Sequence, residues 1–214
     1  MAGEPSLFAR LYAPALGLLA RNGTRVLLVN LGDPNPDIAF PDLPPGYTAE
    51  PKDPLDLLPW ASTEYGLSDT FLQQANARGD RCVANFYEGS LVGYGFVTRC
   101  FAPVTEQIGV SINSTLQYRY KGWTHPEHRR KHLSHARGRI NSRLFPRQPG
   151  QRMVSYVEAH NFASRLPHAD VHPIFLGTCL IVRLLGREFP ISSPAARRAG
   201  FELVRLDPAE AAHA

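Results

Sequence analysis

Two runs of β-type residues face each other across Glu88-Gly89: Arg81-Cys-Val-Ala-Asn-Phe-Tyr87 before it and Leu91-Val-Gly-Tyr-Gly-Phe-Val97 after it. Such runs around a glycine-containing turn predict a β-hairpin. A hairpin alone is marginal in water and needs more strands or a helix on its apolar face. The flanking sequence offers both. Upstream, Leu55 to Trp60 gives a helical turn or two, and Thr70 to Arg78 reads as a helix closed by Gly79. Downstream, Gln107 to Ile112 and Thr115 to Tyr120 read as one long, bent β-type region. Met153 to Glu158, Phe175 to Leu185 and Phe201 to Leu206 are further strands, with short helices from Asn161 to Leu166 and from Pro194 to Ala199. Helices interleaved with strands place the chain in the α/β class.

The first part of the chain has a different texture. Ser6 to Asn22 reads as an amphipathic helix with Leu7, Leu11, Ala15 and Leu18 near one face. Val26 to Asn30 is a short apolar strand, and the proline-rich stretch from 32 to 54 excludes a long helix while admitting one short strand over Gly46 to Glu50. The expected organisation is therefore an N-terminal helix, short strand and linker over residues 1–44, packed on a main domain over 45–214. No apolar run approaches the roughly 18 residues of a membrane span. The N-terminal residues lack the basic region of a secretory signal, so a cytoplasmic protein with no membrane span is expected. Three scattered cysteines without a C-x-x-C argue against a disulfide framework or a cysteine metal site and suit a reducing compartment.

Charge is distributed unevenly. The formal net charge is +4, yet Arg119 to Arg152 holds ten Lys or Arg residues against Glu127 alone, so the remainder of the chain is net negative. An anionic partner for that segment is implied: a phosphorylated cofactor, nucleic acid or an acidic protein. Within it, a helix is expected to follow His125-Pro126 and run from Glu127 to about Leu144, with Leu133, Ala136, Ile140 and Leu144 as one narrow apolar stripe. A strand feeding such a helix directs amide hydrogens and the positive end of the helix dipole at an anion. On that helix His128, His132 and His135 would share a face, but their cationic neighbours Arg129, Arg130 and Lys131 repel a metal ion, and no metal is expected.

The segment Pro126-Glu127-His128-Arg129-Arg130-Lys131-His132-Leu133-Ser134 resembles the acyl-CoA-binding motif of the GNAT superfamily of N-acyltransferases, a proline entry followed by Arg-x-x-Gly-x-Gly/Ala. Here His132 and Ser134 stand at the two glycine positions. The strand ending at Glu158, followed by Asn161 and Ser164, is similar to the family's next strand and helix start, and Gly200-Phe201 to the entry of its last strand. The element order fits from about Gly46 to Leu206.

The resemblance implies a mixed, largely antiparallel sheet flanked by helices. It also implies an enzyme passing an acetyl or longer acyl group from acyl-CoA, or from an acyl-carrier protein, to the amine of a small molecule or peptide. Arg129, Arg130, Lys131, His132, Leu133, Ser134, Asn161 and Ser164 would bind the donor, and backbone N–H groups from Gln117 to Tyr120 would polarise the thioester. The base would be Glu106, or Glu158 through a water, with Tyr118 and Tyr120 as alternatives. Each has a plainer reading: packing for the tyrosines, solvation or capping for Glu158, and helix capping for Asn161. A homodimer suits the family. The competing interpretation is a GNAT-like module without catalysis that senses a ligand, or one whose basic segment, beside Tyr118, Tyr120 and Trp123, binds nucleic acid.

Overall fold

A computed structural model describes residues 18–19, 21–32, 42–161 and 174–206. Among them the strands are β1 (Arg25–Leu31), β2 (Tyr47–Lys52), β3 (Arg81–Tyr87), β4 (Ser90–Thr98), β5 (Phe101–Pro103), β6 (Ile108–Ile112), β7 (Leu116–Thr124), β8 (Arg152–Glu158), β9 (Ile174–Leu184), β10 (Arg187–Ser192) and β11 (Phe201–Arg205). The α-helices are α1 (Asp69–Ala77), α2 (Leu133–Leu144) and α3 (Pro194–Arg198), with 3-10 turns at Pro54–Trp60 and Pro126–His128. Eight strands make one sheet in the order β10-β9-β1-β8-β7-β4-β3-β2, and β11-β6-β5 make a second. Every pairing is antiparallel except β7 with β8, the mixed, largely antiparallel α/β arrangement that the sequence resemblance implies.

Local chemistry explains the best-defined elements. Glu88 and Gly89, with φ of 49° and 82°, turn β3 into β4, because positive φ at both central residues matches the twist of a two-residue hairpin. Ser68 caps α1 by accepting the amide hydrogen of Phe71 at 3.2 Å, and left-handed Gly79 ends it. The side-chain alternation of β4 then sorts the helices. Tyr94 and Phe96 point to one face, where Phe71 of α1 meets Phe96 edge-on at 5.1 Å. Gly93 and Gly95 open the other face, where Arg137 of α2 lies against them. The core joins Tyr94, Phe96, Tyr118, Leu72 of α1 and Phe201 of the small sheet, all within 2% of full burial. A fully buried leucine such as Leu72 contributes about 2 kcal/mol.

Several sequence expectations are revised. The long β region from 107 to 120 is two strands in two sheets: β6 joins the small sheet, and an Asn113 side chain that accepts the amide hydrogen of Thr115 turns the chain into β7. The basic helix starts at Leu133, not Glu127, because residues 126–132 form a 3-10 turn and an irregular loop in which Arg130 and His132 are left-handed. β10 was not anticipated; Leu185 and Gly186, with φ of 50° and 78°, turn β9 back on itself. The expected strand at Val26 is β1, inserted between β8 and β9 inside the large sheet. Of the expected N-terminal helix only the end near Leu18 and Leu19 lies within the described residues, and the helix expected after Asn161 falls outside them.

Candidate active site

The large sheet is split near its centre. β7 and β8 pair only over Leu116–Tyr118 against Arg152–Val154. Beyond that β7 follows β4 as far as Thr124, while β8 follows β1 to Glu158. The inner edges of both strands therefore carry backbone N–H and C=O groups with no strand across from them, groups that demand a partner of some kind.

β7 also carries one residue too many opposite Gly95, since Phe96 pairs with Tyr120 and Tyr94 with Trp123. The bulge is taken up at Lys121, whose φ is 48°. A bulge re-aims side chains, and here both Tyr120 and Lys121 line one cavity. That cavity, about 660 Å³, lies between α1, the β5–β6 loop and the diverging strands; Phe71, Glu106, Tyr118, Tyr120, Lys121 and Tyr156 give it its chemistry.

Three phenols form the aromatic part of this cavity. Tyr118 stacks on Tyr120 at 5.6 Å and on Tyr156 at 6.2 Å. Burial, reinforced by the neighbouring phenols, holds Tyr118 well above the usual tyrosine range. Burial likewise raises Tyr156, and burial followed by the Asp80 carboxylate raises Tyr120. All three are therefore neutral at physiological pH. Tyr120 donates to Asp80 Oδ2 at 2.5 Å, and Arg78 donates to the same oxygen at 2.9 and 3.1 Å. Asp80 and Arg78 thereby fix the hydroxyl of Tyr120, which lines the cavity.

The expected bases are placed differently from one another. Glu106 is exposed on the β5–β6 loop and faces the cavity. Glu158 accepts from Arg25 Nε of β1 at 2.9 Å and lies 3.4 Å from His160 Nδ1, so its carboxylate is held in an ion pair across the β1–β8 ladder.

The other end of β7 leads into the basic loop. Arg129, Arg130, Lys131, His132 and Ser134 are exposed, while Leu133 is buried as the first anchor of α2. His132 is the residue before the helix; its φ of 58° and ψ of 20° are left-handed, and its side chain makes no capping hydrogen bond. Glycine adopts that conformation without strain, which gives a physical meaning to the glycine that the resembling motif places there. The amide hydrogens of His135 and Ala136 bond the His132 carbonyl oxygen at 3.0 and 3.2 Å, which leaves those of Leu133 and Ser134 without a partner inside the helix. Asn161 donates its backbone N–H to Glu158 O at 2.8 Å beyond the end of β8, and Ser164 lies outside the described residues.

The late helix start also dissolves the shared histidine face. His128 sits in the 3-10 turn, its Nδ1 2.9 Å from the Tyr47 hydroxyl, while His132 and His135 stack on each other at 5.5 Å. Among the described residues, the group with ligand atoms within 4.8 Å of one another is instead His125, Glu127 and His128, with Arg129 next along the chain.

Sequence reasoning missed Tyr156, Lys121, Phe71 and the Arg78–Asp80 pair as parts of the site. The two-residue spacing of Tyr156 and Glu158 on a strand was a usable signal, because it puts both side chains on one face. Nothing in the sequence marks the Lys121 bulge.

No protein-family model matches the chain, and no curated protein matches it. Among solved structures it is similar to a GCN5-related N-acetyltransferase from Kribbella flavida, with 17% identity over 74% of this chain and 60% of that one and a TM-score of 0.45. A GCN5-related N-acetyltransferase from Sphaerobacter thermophilus is 13% identical over 89% of this chain and 53% of that one, with a TM-score of 0.41. The Salmonella typhimurium protein yncA, solved with its cofactor acetyl-CoA, is 20% identical over 76% of this chain and 95% of that one, with a TM-score of 0.38. The chain thus spans less than two thirds of the Kribbella and Sphaerobacter proteins.

Proposed function

We propose that the protein is a GNAT-type N-acyltransferase that moves an acyl group from an acyl-CoA thioester to an amine by direct attack. The observation that carries this reading is the split between β7 and β8, with an aromatic cavity on one side of it and a cationic loop leading into α2 at the end of β7. The residues suit a phosphate-bearing donor: an uncapped helix start, left-handed Arg130 and His132, and exposed Arg129, Arg130 and Lys131.

Acyl-CoA would supply the activated acyl carbon. Arg129 to Ser134 would hold its phosphates, through amide hydrogens at the start of α2 and the cationic side chains beside them. N–H groups of β7 in the Gln117–Tyr120 stretch would polarise the thioester carbonyl, the electrostatic contribution that usually dominates acyl transfer. The amine acceptor, on a small molecule or a peptide, would enter the cavity between α1 and the β5–β6 loop. Glu106 would take the proton that the amine loses. Tyr118 and Tyr156, kept protonated by burial, serve better as hydrogen-bond donors to the reacting centre than as bases. Glu158, paired with Arg25, holds β8 to β1 on its side of the split.

Calorimetric titration of the full chain with acetyl-CoA and longer acyl-CoAs tests the reading. Saturable binding is expected, followed by thiol release when an amine panel is added. A flat titration at millimolar donor removes acyl-CoA as the donor.

A further inference from the structure

The basic surface extends well past the donor loop. Arg139 and Arg143, one helical turn apart on α2, flank a second depression of about 420 Å³ between α2 and β2. Its apolar lining is Leu43, Ala49, Ala136 and Ile140. Asp42 lies 3.6 Å from Arg139, but its carboxylate is 97% exposed, so that pair is worth little. Arg143 is exposed and has no acidic partner among the described residues. At 1.5 Å per residue, Arg139 and Arg143 stand about 9 and 15 Å along the axis from Leu133. They fall within the footprint of any macromolecule that presents a phosphate to the start of α2.

Two observations choose among polyanions. His132 and Ser134 carry side chains where glycines would let the two phosphates of a pyrophosphate sit close to the backbone, and a single phosphodiester asks less of that cradle. An aliphatic notch rimmed by two arginines matches a protein helix on which acids flank an apolar residue. Nucleic acid offers no aliphatic side chain for such a notch.

We propose that the donor is an acyl thioester on the phosphopantetheine arm of an acidic carrier protein, which docks along α2 over Arg139 and Arg143. The proposal rests on the acyltransferase reading and specifies its donor. The reaction balances without a further reagent. The amine nitrogen bonds to the acyl carbon, the carbon–sulfur bond breaks, the proton lost by the amine ends on the sulfur of the arm, and the carrier leaves as its free thiol.

The test compares three donors with one acyl chain and one amine acceptor: acyl-CoA, acyl-pantetheine, and an acidic bacterial acyl-carrier protein loaded with that chain. The full-length protein is expected to use the carrier with kcat/KM at least tenfold above that for acyl-CoA, and with a rate that falls as salt rises. Arg143→Glu is expected to lower carrier-dependent kcat/KM about tenfold while acyl-pantetheine turnover stays unchanged, which also shows that the variant is folded. Equal or better use of acyl-CoA overturns the proposal, as does an Arg143→Glu loss seen with acyl-CoA but not with the carrier. Loss of binding to a single-stranded RNA oligomer, with carrier turnover intact, reassigns the surface to nucleic acid. Absence of turnover with all three donors, acyl-pantetheine included, defeats the acyltransferase reading itself.

Discussion

His132 holds a backbone conformation that costs a side-chain-bearing residue about 1–2 kcal/mol, and it does so at the start of α2. His132→Gly removes that strain but adds chain entropy to the unfolded state, about 0.5–1 kcal/mol. The net expectation is a gain of under about 1 kcal/mol, read as a small rise in Tm. The more informative readout is donor affinity. Removing the Cβ should tighten acyl-CoA binding in a calorimetric titration, and weaker binding would mean that the imidazole itself contacts the donor. Glu106 makes the complementary prediction on the other side of the split, where it is exposed and faces the cavity. Glu106→Gln should lower kcat about 100-fold with donor affinity unchanged, within the range of general-base effects. A full-rate variant would transfer the proton-accepting role elsewhere.

The elements depend on close approaches that a few residues permit. α2 is clamped to the sheet by Arg137, which donates to Asn85 Oδ1 of β3 and to Thr124 Oγ1 of β7 at 3.3 Å. That clamp needs room on β4. A Cβ at Gly93 would lie 2.7 Å from Arg137 Nη1 and 3.2 Å from the Trp123 carbonyl oxygen, whereas one at Gly95 would meet Arg137 no closer than 3.5 Å. Gly93→Ala is therefore expected to destabilise the protein by about 1–3 kcal/mol in a denaturant titration, and Gly95→Ala to be nearly neutral. Equal effects at both positions would show that Arg137 is not a rigid clamp. The hairpin and α1 were legible beforehand because their signals are local: a two-residue turn, a serine cap and a closing glycine. The start of α2 was not. Proline at 126 announces a helix, but the turn it begins is 3-10, and the left-handed residues at 130 and 132 delay the α-helix to Leu133.

At the scale of the whole molecule the aromatic core gives folding a pH signature. Tyr94, Tyr118, Tyr120 and Tyr156 are all raised above the ordinary phenol value, in each case chiefly by burial. The unfolded chain releases these protons near pH 10 and the folded chain holds them, so their contribution is complete below pH 10 and is lost as pH rises past it. Arg137, pushed down to about 10 by burial, acts in the opposite sense, as do Arg119 and Lys121, both lowered by burial, whereas burial pushes Cys82 up to about 12 and raises Cys179, so these thiols act with the phenols. Tm should fall steadily from pH 9 to 11. Of the eight tyrosines, these four should titrate at 295 nm only as the protein unfolds. Reversible titration of all eight with the circular dichroism intact would refute the assignment. By itself, the sequence settled the β3–β4 hairpin, α1, the strands β1, β8, β9 and β11 and the place of the cationic stretch, since side-chain periodicity and turn chemistry act between near neighbours. Tertiary structure alone decided that β1 enters between β8 and β9, that β6 leaves for a second sheet, that β7 parts from β8 after Tyr118, and that Lys121, Tyr156 and Glu106 share a cavity. Those outcomes rest on hydrogen bonds and packing between segments far apart in the chain, and such pairings leave little trace in any local window of residues.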